Sequence, residues 1–305
     1  MKNTVRQSIV CVILMSLGVL AMSAPSFGAD SALPTKPQAQ SEASQSVQSK
    51  VDKQTADAAA EKRKKLFADA TAALAETQKA LKALENKKND AALKALAEVT
   101  GKLDLIVARD PKLAQTPVAT EVVTYDLLGN LDTIKSVIKD AKAYLNDGEI
   151  QRARPLVANL ASEIQYRTHH IPLETYPAAI KAIAPLIDAG KIDEAKARLQ
   201  AALNTLVVTT DEVIPLPKLR AEHLLKQAQE LAEKKDRSKE DNDKLAKFLQ
   251  ATREQLQMAE LLGYGKKNDY NPMYEQISEI EKKSADGKSG TGWFEKVKQQ
   301  LADLF

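Results

Sequence analysis

The stretch "NDGEIQRA", residues 146–153, has a twin in "DAGKIDEA", residues 188–195. Both read Gly-x-Ile-x-x-Ala, through Gly148, Ile150 and Ala153 and then through Gly190, Ile192 and Ala195. Glycine takes positive φ just past a helix and closes the free carbonyls there. An isoleucine two residues on opens the apolar side of a following helix, and alanine three later lets two helices approach closely. Each copy therefore reads as the corner of a helical hairpin.

Working outward, the same plan recurs. Phe67, Ala70, Leu74, Thr77, Leu81 and Leu84 recur at helical spacing. "ENKKND" breaks the pattern, and Ala91 to Val107 resume it. Helices are predicted over Leu127–Leu145 and Ile150–Tyr166 around the first quoted corner, and over Pro177–Ile187 and Ile192–Val208 around the second. Lys218–Glu233 and Lys239–Leu262 make a last hairpin, with Ser238 and Asp241 as a capping box. Pro155 and Pro185 are expected to kink their helices. A short helix is expected to begin with Asn271 as N-cap and Pro272 at the first position. The corners fall at unequal intervals, which is no regular repeat array. The fold class expected is all-α: an irregular bundle or short solenoid of helical hairpins.

The ends of the chain differ from this body. Lys2 and Arg6, the apolar run Ile9–Met22 and the small residues of "SAPSFGA" have the layout of a secretory signal peptide over residues 1–29, cleaved between Ala24 and Ala29. The protein is expected in the periplasm. Cys11 is the only cysteine, so cleavage would leave neither disulfide nor thiolate ligand. The formal charge of +3 would fall near +1 with Lys2 and Arg6 removed, which gives no electrostatic case for nucleic acid. Residues 30–51, rich in Ser, Gln, Ala and Pro, are expected to be a disordered leader. The hairpin domain is placed over 52–285 and a flexible Gly/Ser tether over 286–292. An amphipathic helix over 293–305 carries Trp293, Phe294, Val297, Leu301, Leu304 and Phe305 on one arc. That helix is expected to dock on its own domain, on a partner or, least of all, on a membrane.

Little points to chemistry. Gly287-Lys288-Ser289 ends like a phosphate loop, but Lys282 stands where the loop's first glycine belongs. His169 and His170 are adjacent and cannot chelate one ion from a helix. No metal, cofactor or catalytic residue is expected, and the protein is read as a non-enzyme. Tyr125, Tyr166, His169, His170 and Tyr176 cluster near predicted hairpin ends as a candidate groove for a ligand or partner.

With the hairpins laid out, the region from about Thr124 to Glu233 resembles the YfdX family of bacterial exported proteins. The resemblance is carried by "PAAIKAIAPLIDAGKIDEAKARLQAALNTLVVTTDEVIPLPKLRAEHLLKQAQEL", with the Gly190 corner and the "IPL" step at Ile214–Leu216. Downstream, "LLGYGKKNDYNPMYEQISEIEKK" and "GKSGTGWF" are similar to longer members. The resemblance implies an all-helical periplasmic protein connected with stress tolerance, with chaperone-like or small-molecule-binding roles and no catalytic motif. The expected partners are unfolded or apolar client proteins or small molecules, with a second copy of the chain as a further candidate. Neither nucleic acid nor membrane is expected. The alternative is an assembly protein that docks a partner through Trp293, Phe294, Val297, Leu301 and Phe305.

Overall fold

The computed structural model describes residues 41–127 and 129–304. The expected signal peptide, the first part of the expected leader and Phe305 lie outside them. In chain order come α1 (Glu42–Ser46), α2 (Gln48–Arg63), α3 (Ala68–Glu85), α4 (Asn89–Arg109) and β1 (Gln115–Tyr125). Then follow α5 (Leu131–Asn146), α6 (Ile150–Ala158) and β2 (Glu163–Pro172), and α7 (Tyr176–Lys181), α8 (Ala184–Asp188), α9 (Ile192–Leu203) and β3 (Val207–Pro215). The chain closes with α10 (Leu216–Glu233), α11 (Lys239–Leu261), α12 (Lys267–Ser284) and α13 (Glu295–Asp303).

The chain is mostly helical but not all-α. Three times a helical hairpin is followed by a strand, and the strands join as one antiparallel sheet in the order β1-β2-β3. This corrects the expected fold class. The predicted helix Ile150–Tyr166 stops at Ala158, and Ile192–Val208 stops at Leu203. The residues beyond, "EIQYRTHHIP" and "VVTTDEVIP", are dense in β-branched and aromatic side chains, which fit a pleated surface better than a helix turn.

The quoted corners are where they were expected. Gly148 sits at φ +75 and Gly190 at φ +72, each just past a helix end. The third helix pair departs from plan. Predicted Pro177–Ile187 is broken into α7 and α8, with Pro185 opening α8 instead of kinking one long helix. The capping box at Ser238 is complete: the Asp241 N–H donates to the Ser238 hydroxyl at 3.1 Å, and the Ser238 N–H to the Asp241 carboxylate at 3.2 Å. Helix α12 starts five residues before the expected Pro272, because the Asp269 carboxylate accepts from the Lys266 N–H at 3.1 Å and caps the end there. Pro272 consequently lies inside the helix, and Asn271 is not its cap.

The largest apolar cluster joins α3 and α4 to α7, α8 and α9, with Val118 of β1 and Ile171 of β2. A second joins α10, α11, α12 and α13. A third lies between one face of the sheet and α2, where Ile164 and Tyr166 meet Val51, Ala59, Leu216 and Leu219.

Two low-complexity expectations are corrected. Residues 42–51 of the expected disordered leader belong to α1 and α2, and Ser44, Val47 and Val51 are buried. Tertiary contacts overcome the polar composition: the Gln255 amide donates to the Ser44 hydroxyl at 3.1 Å, and Gln48 accepts from Arg220. The expected flexible tether is tied down by the buried Arg237, which donates to the carbonyls of Ser284 at 3.0 Å and Lys288 at 2.7 Å. Its other bonds reach the carbonyls of Leu231 and Ala232 and the Asn242 side chain.

Candidate functional site

The sheet is built so that one face is covered and the other is largely not. Residues paired across strands share a face. Ile164 and Tyr166 of β2, with Val122 of β1 and Ile214 of β3, turn towards α2. The opposite face carries three rows: Ala119–His169–Val208, Glu121–Arg167–Thr210 and Val123–Gln165–Val213. Val208 and Val213 are 49% and 45% exposed, and Val207 next to them 40%. Strand β3 is also an edge of the sheet, with no strand beyond it among the described residues. An edge strand presents unpaired N–H and C=O groups that can template another extended chain.

The polar groups on this face are paired among themselves. The Arg167 guanidinium donates to the Tyr125 hydroxyl at 3.1 Å and to Gln165. His169 Nε2 lies 3.2 Å from the Glu121 carboxylate. The register shifts between Tyr166 and Arg167, so Asp211 has no partner in the ladder. This bulge brings the Asp211 carboxylate to the hydroxyls of Thr168 and Thr209, the latter at 2.9 Å. Burial works against the Asp211 charge, but both hydroxyls and the nearby Lys62 charge outweigh it and hold the carboxyl below its ordinary pKa. Lys62 is also 2.9 Å from Glu212, so the acidic middle of β3 has a basic neighbour on α2.

The five candidate groove residues separate on the structure. Tyr125, His169 and His170 lie on the sheet, and Tyr125 is 38% exposed. Tyr166 and Tyr176 line no groove, being fully buried at 1% and 0% exposure. Tyr166 turns inward and donates to the Thr55 carbonyl at 3.2 Å, with the Lys62 ammonium 5.1 Å from its ring; burial pushes its phenol up. Tyr176 belongs to the main core. His170 has its Nδ1 buried without a hydrogen-bond partner. Four of the five are on strands, and Tyr176 opens α7. A further cleft lies elsewhere: a cavity of about 460 Å³ between α1 and α11, with Ala43, Ala246 and Ala251 among Glu42, Lys247, Gln250 and Glu254.

The C-terminal helix docks on its own domain, the first of the three targets expected for it. Phe294, Val297 and Leu301 are buried in the cluster with α10, α11 and α12. The face proposed to dock a partner is covered by the protein's own domain, and Trp293 packs at its margin.

Sequence reasoning did not reach Val208, Val213, Glu121 or Arg167. The signal was present in the β-branched run "VVTTDEVI", whose first two residues read as the end of a helix. It also did not single out Arg220, which is 1% exposed and holds Asp126 through two bonds of 3.1 and 2.7 Å, joining α10 to the segment before α5.

Among the described residues no group of three or more His, Cys, Asp or Glu is placed to hold a metal ion, and no helix is long and apolar enough to cross a membrane. No curated protein matches the chain. A solved structure of YfdX from Salmonella Typhi is similar at 15% identity and a TM-score of 0.33, covering 50% of this chain and 93% of that one. A likeness that distant carries no argument about the site. The family model described as YfdX protein matches residues 73–212, a span from within α3 to within β3 that takes in all of β1 and β2 and most of β3. Over residues 73–212 the chain is therefore similar to the YfdX family.

Proposed function

We propose that the protein is a non-enzymatic, chaperone-like binding protein of the periplasm, and that it holds extended segments of unfolded clients along β3. The observation that supports this reading best is the open β3 edge, with Val207, Val208 and Val213 exposed beside it. Backbone pairing to an edge is indifferent to client sequence, and the valines add apolar contact to alternate client side chains. Asp211 and Glu212 sit at the centre of the strand. Two copies paired antiparallel about that centre would set acid against acid, which disfavours self-pairing and favours clients with basic and apolar residues. Export through a cleaved segment 1–29 would place the protein where unfolded exported chains need holding. The grooves between hairpins, expected from sequence, give way in this reading to the sheet edge.

The test is suppression of light scattering by a heat-denatured client enzyme. The full chain should suppress it, and Val208→Lys with Val213→Lys should abolish most of that effect, since a charge on an edge strand opposes further pairing. Both positions are exposed, so the melting temperature should hold. Equal suppression by the double variant, or none by the wild type, would remove the proposal.

A further inference from the structure

We propose that one face of the α5–α6 hairpin docks on an anionic phospholipid surface. This is independent of the client-binding reading and uses a different part of the chain. The hairpin packs on the rest of the protein mainly through α11. Its buried residues are few: Ile134 and Ala141 on α5 and Ala153 on α6. Leu145, Ile150 and Val157 are 49%, 63% and 51% exposed.

These three side chains share one side of the hairpin. At ~100° per residue, Leu145 and Ile138 lie rotated in one sense from the Ile134–Ala141 line on α5. Val157 and Ile150 lie rotated in the same sense from Ala153 on α6. The two helices pack mainly on each other, so their buried lines face one another, and in an antiparallel pair facing in this way equal rotations lead to the same side. The opposite rotation leads to Tyr144 on α5 and Arg152 on α6, and these do meet: the guanidinium lies 4.2 Å from the ring and donates to the hydroxyl at 3.1 Å. The exposed aliphatic strip is therefore on the side away from Tyr144 and Arg152.

Cations border that strip. The next positions in the same rotation are Lys142 and Lys135 on α5 and Arg154 on α6. Lys135 is 3.4 Å from Asp132. Lys142 and Arg154 are exposed and enter no ion pair among the described residues. Glu149 is held by Arg152 at 2.7 Å, on the other side. An aliphatic strip edged by Lys and Arg suits the boundary between acyl chains and phosphate headgroups. A second copy offering the same face would set Lys142 and Arg154 against their equivalents. Strong protein contacts favour Trp, Tyr and Arg anchors, and the apolar part of this strip is Leu, Ile and Val alone. The helices are too short and too polar to span, so they would lie on the surface. The expectation that no membrane is contacted came from the C-terminal helix, whose face is buried.

The experiment is co-sedimentation of the full chain with vesicles of phosphatidylglycerol and phosphatidylethanolamine, against vesicles of phosphatidylcholine alone. Binding should be at least about tenfold tighter to the anionic vesicles and weaken with salt. Ile150→Glu with Val157→Glu, and separately Lys142→Glu with Arg154→Glu, should each lower it by about tenfold or more without moving the melting temperature. All comparisons are within the full chain, so the apolar run Ile9–Met22 is constant. Equal binding to both vesicle types, no binding, or unchanged binding by both variants would overturn the proposal. So would a concentration-dependent dimer lost in the same variants, which would assign the face to a second copy. Val208→Lys with Val213→Lys should bind vesicles as the wild type does, which separates this outcome from that of the client-binding test.

Discussion

Arg220 and Asp126 form a pair whose two halves should behave unequally. The Arg220 side chain is 1% exposed, whereas Asp126 retains 30%. Two of the guanidinium nitrogens reach the carboxylate at 3.1 and 2.7 Å, and Gln48 accepts from the same group at 3.2 and 2.9 Å. Breaking a fully buried pair by removing one partner costs about 3–5 kcal/mol, because a buried charge is left uncompensated. Asp126→Ala does this to a guanidinium that water scarcely reaches. Partial access at the Asp126 end brings the expected loss to about 3 kcal/mol. Arg220→Met instead fills the same volume with an apolar chain and leaves a carboxylate that can hydrate, so about 1–2 kcal/mol is expected. In the double variant the losses should fall short of their sum by about 1 kcal/mol or more. Urea unfolding followed by far-UV circular dichroism measures all three. At about 2–4 °C per kcal/mol for a domain of this size, the melting temperature of Asp126→Ala should drop by about 6–12 °C. If Arg220→Met proved the worse variant by about 1 kcal/mol, or if the two losses simply added, the burial asymmetry would not be what governs this pair.

Other expectations follow from single sites. Gly148 and Gly190 have φ of +75 and +72, and a Cβ at either would meet no atom within 4 Å. Gly148→Ala and Gly190→Ala should therefore each cost about 1 kcal/mol through the backbone alone; a loss several times larger at one of them in urea unfolding would mean that packing decides. A Cβ at Gly290 would run into the Trp293 indole, so Gly290→Ala should displace the only tryptophan and shift its emission to the red. Unchanged emission would place Trp293 elsewhere. Burial raises the phenol pKa of Tyr264, Tyr270 and Tyr274, helped by Glu163 at the first and by Glu260 at the other two. A raised folded pKa gives stability that is complete below the unfolded value near 10 and is lost as pH rises through the folded value. Stability should hold to about pH 10 and then fall, less steeply in Tyr264→Phe; an alkaline limb identical in the two proteins would contradict this.

What could be read in the sequence was what one or two neighbouring residues dictate. A positive φ after a helix is a demand on one position, and Gly148 and Gly190 answer it. The capping box at Ser238 and Asp241 is complete within four residues. Strands β2 and β3 failed this local test because each follows a helix without a clear break. Ile164 continues the helical spacing of Leu156 and Leu160, and it also begins the alternation Ile164, Tyr166, Thr168 that β2 buries. Composition misjudged residues 42–51 for a related reason: Val47 and Val51 are one helical turn apart, and they are buried because α10 and α11 are there to cover them. The candidate site is the most distant of these features from local pattern. Its rows bring His169 beside Ala119 from before the α5–α6 hairpin and beside Val208 from after α7, α8 and α9. A surface made of three strands, each separated by a helical hairpin, leaves no spacing for a motif to show. The density of β-branched and aromatic residues marks all three strands, and in "VVTTDEVI" that density resists a helix for the same reason that it suits an open edge.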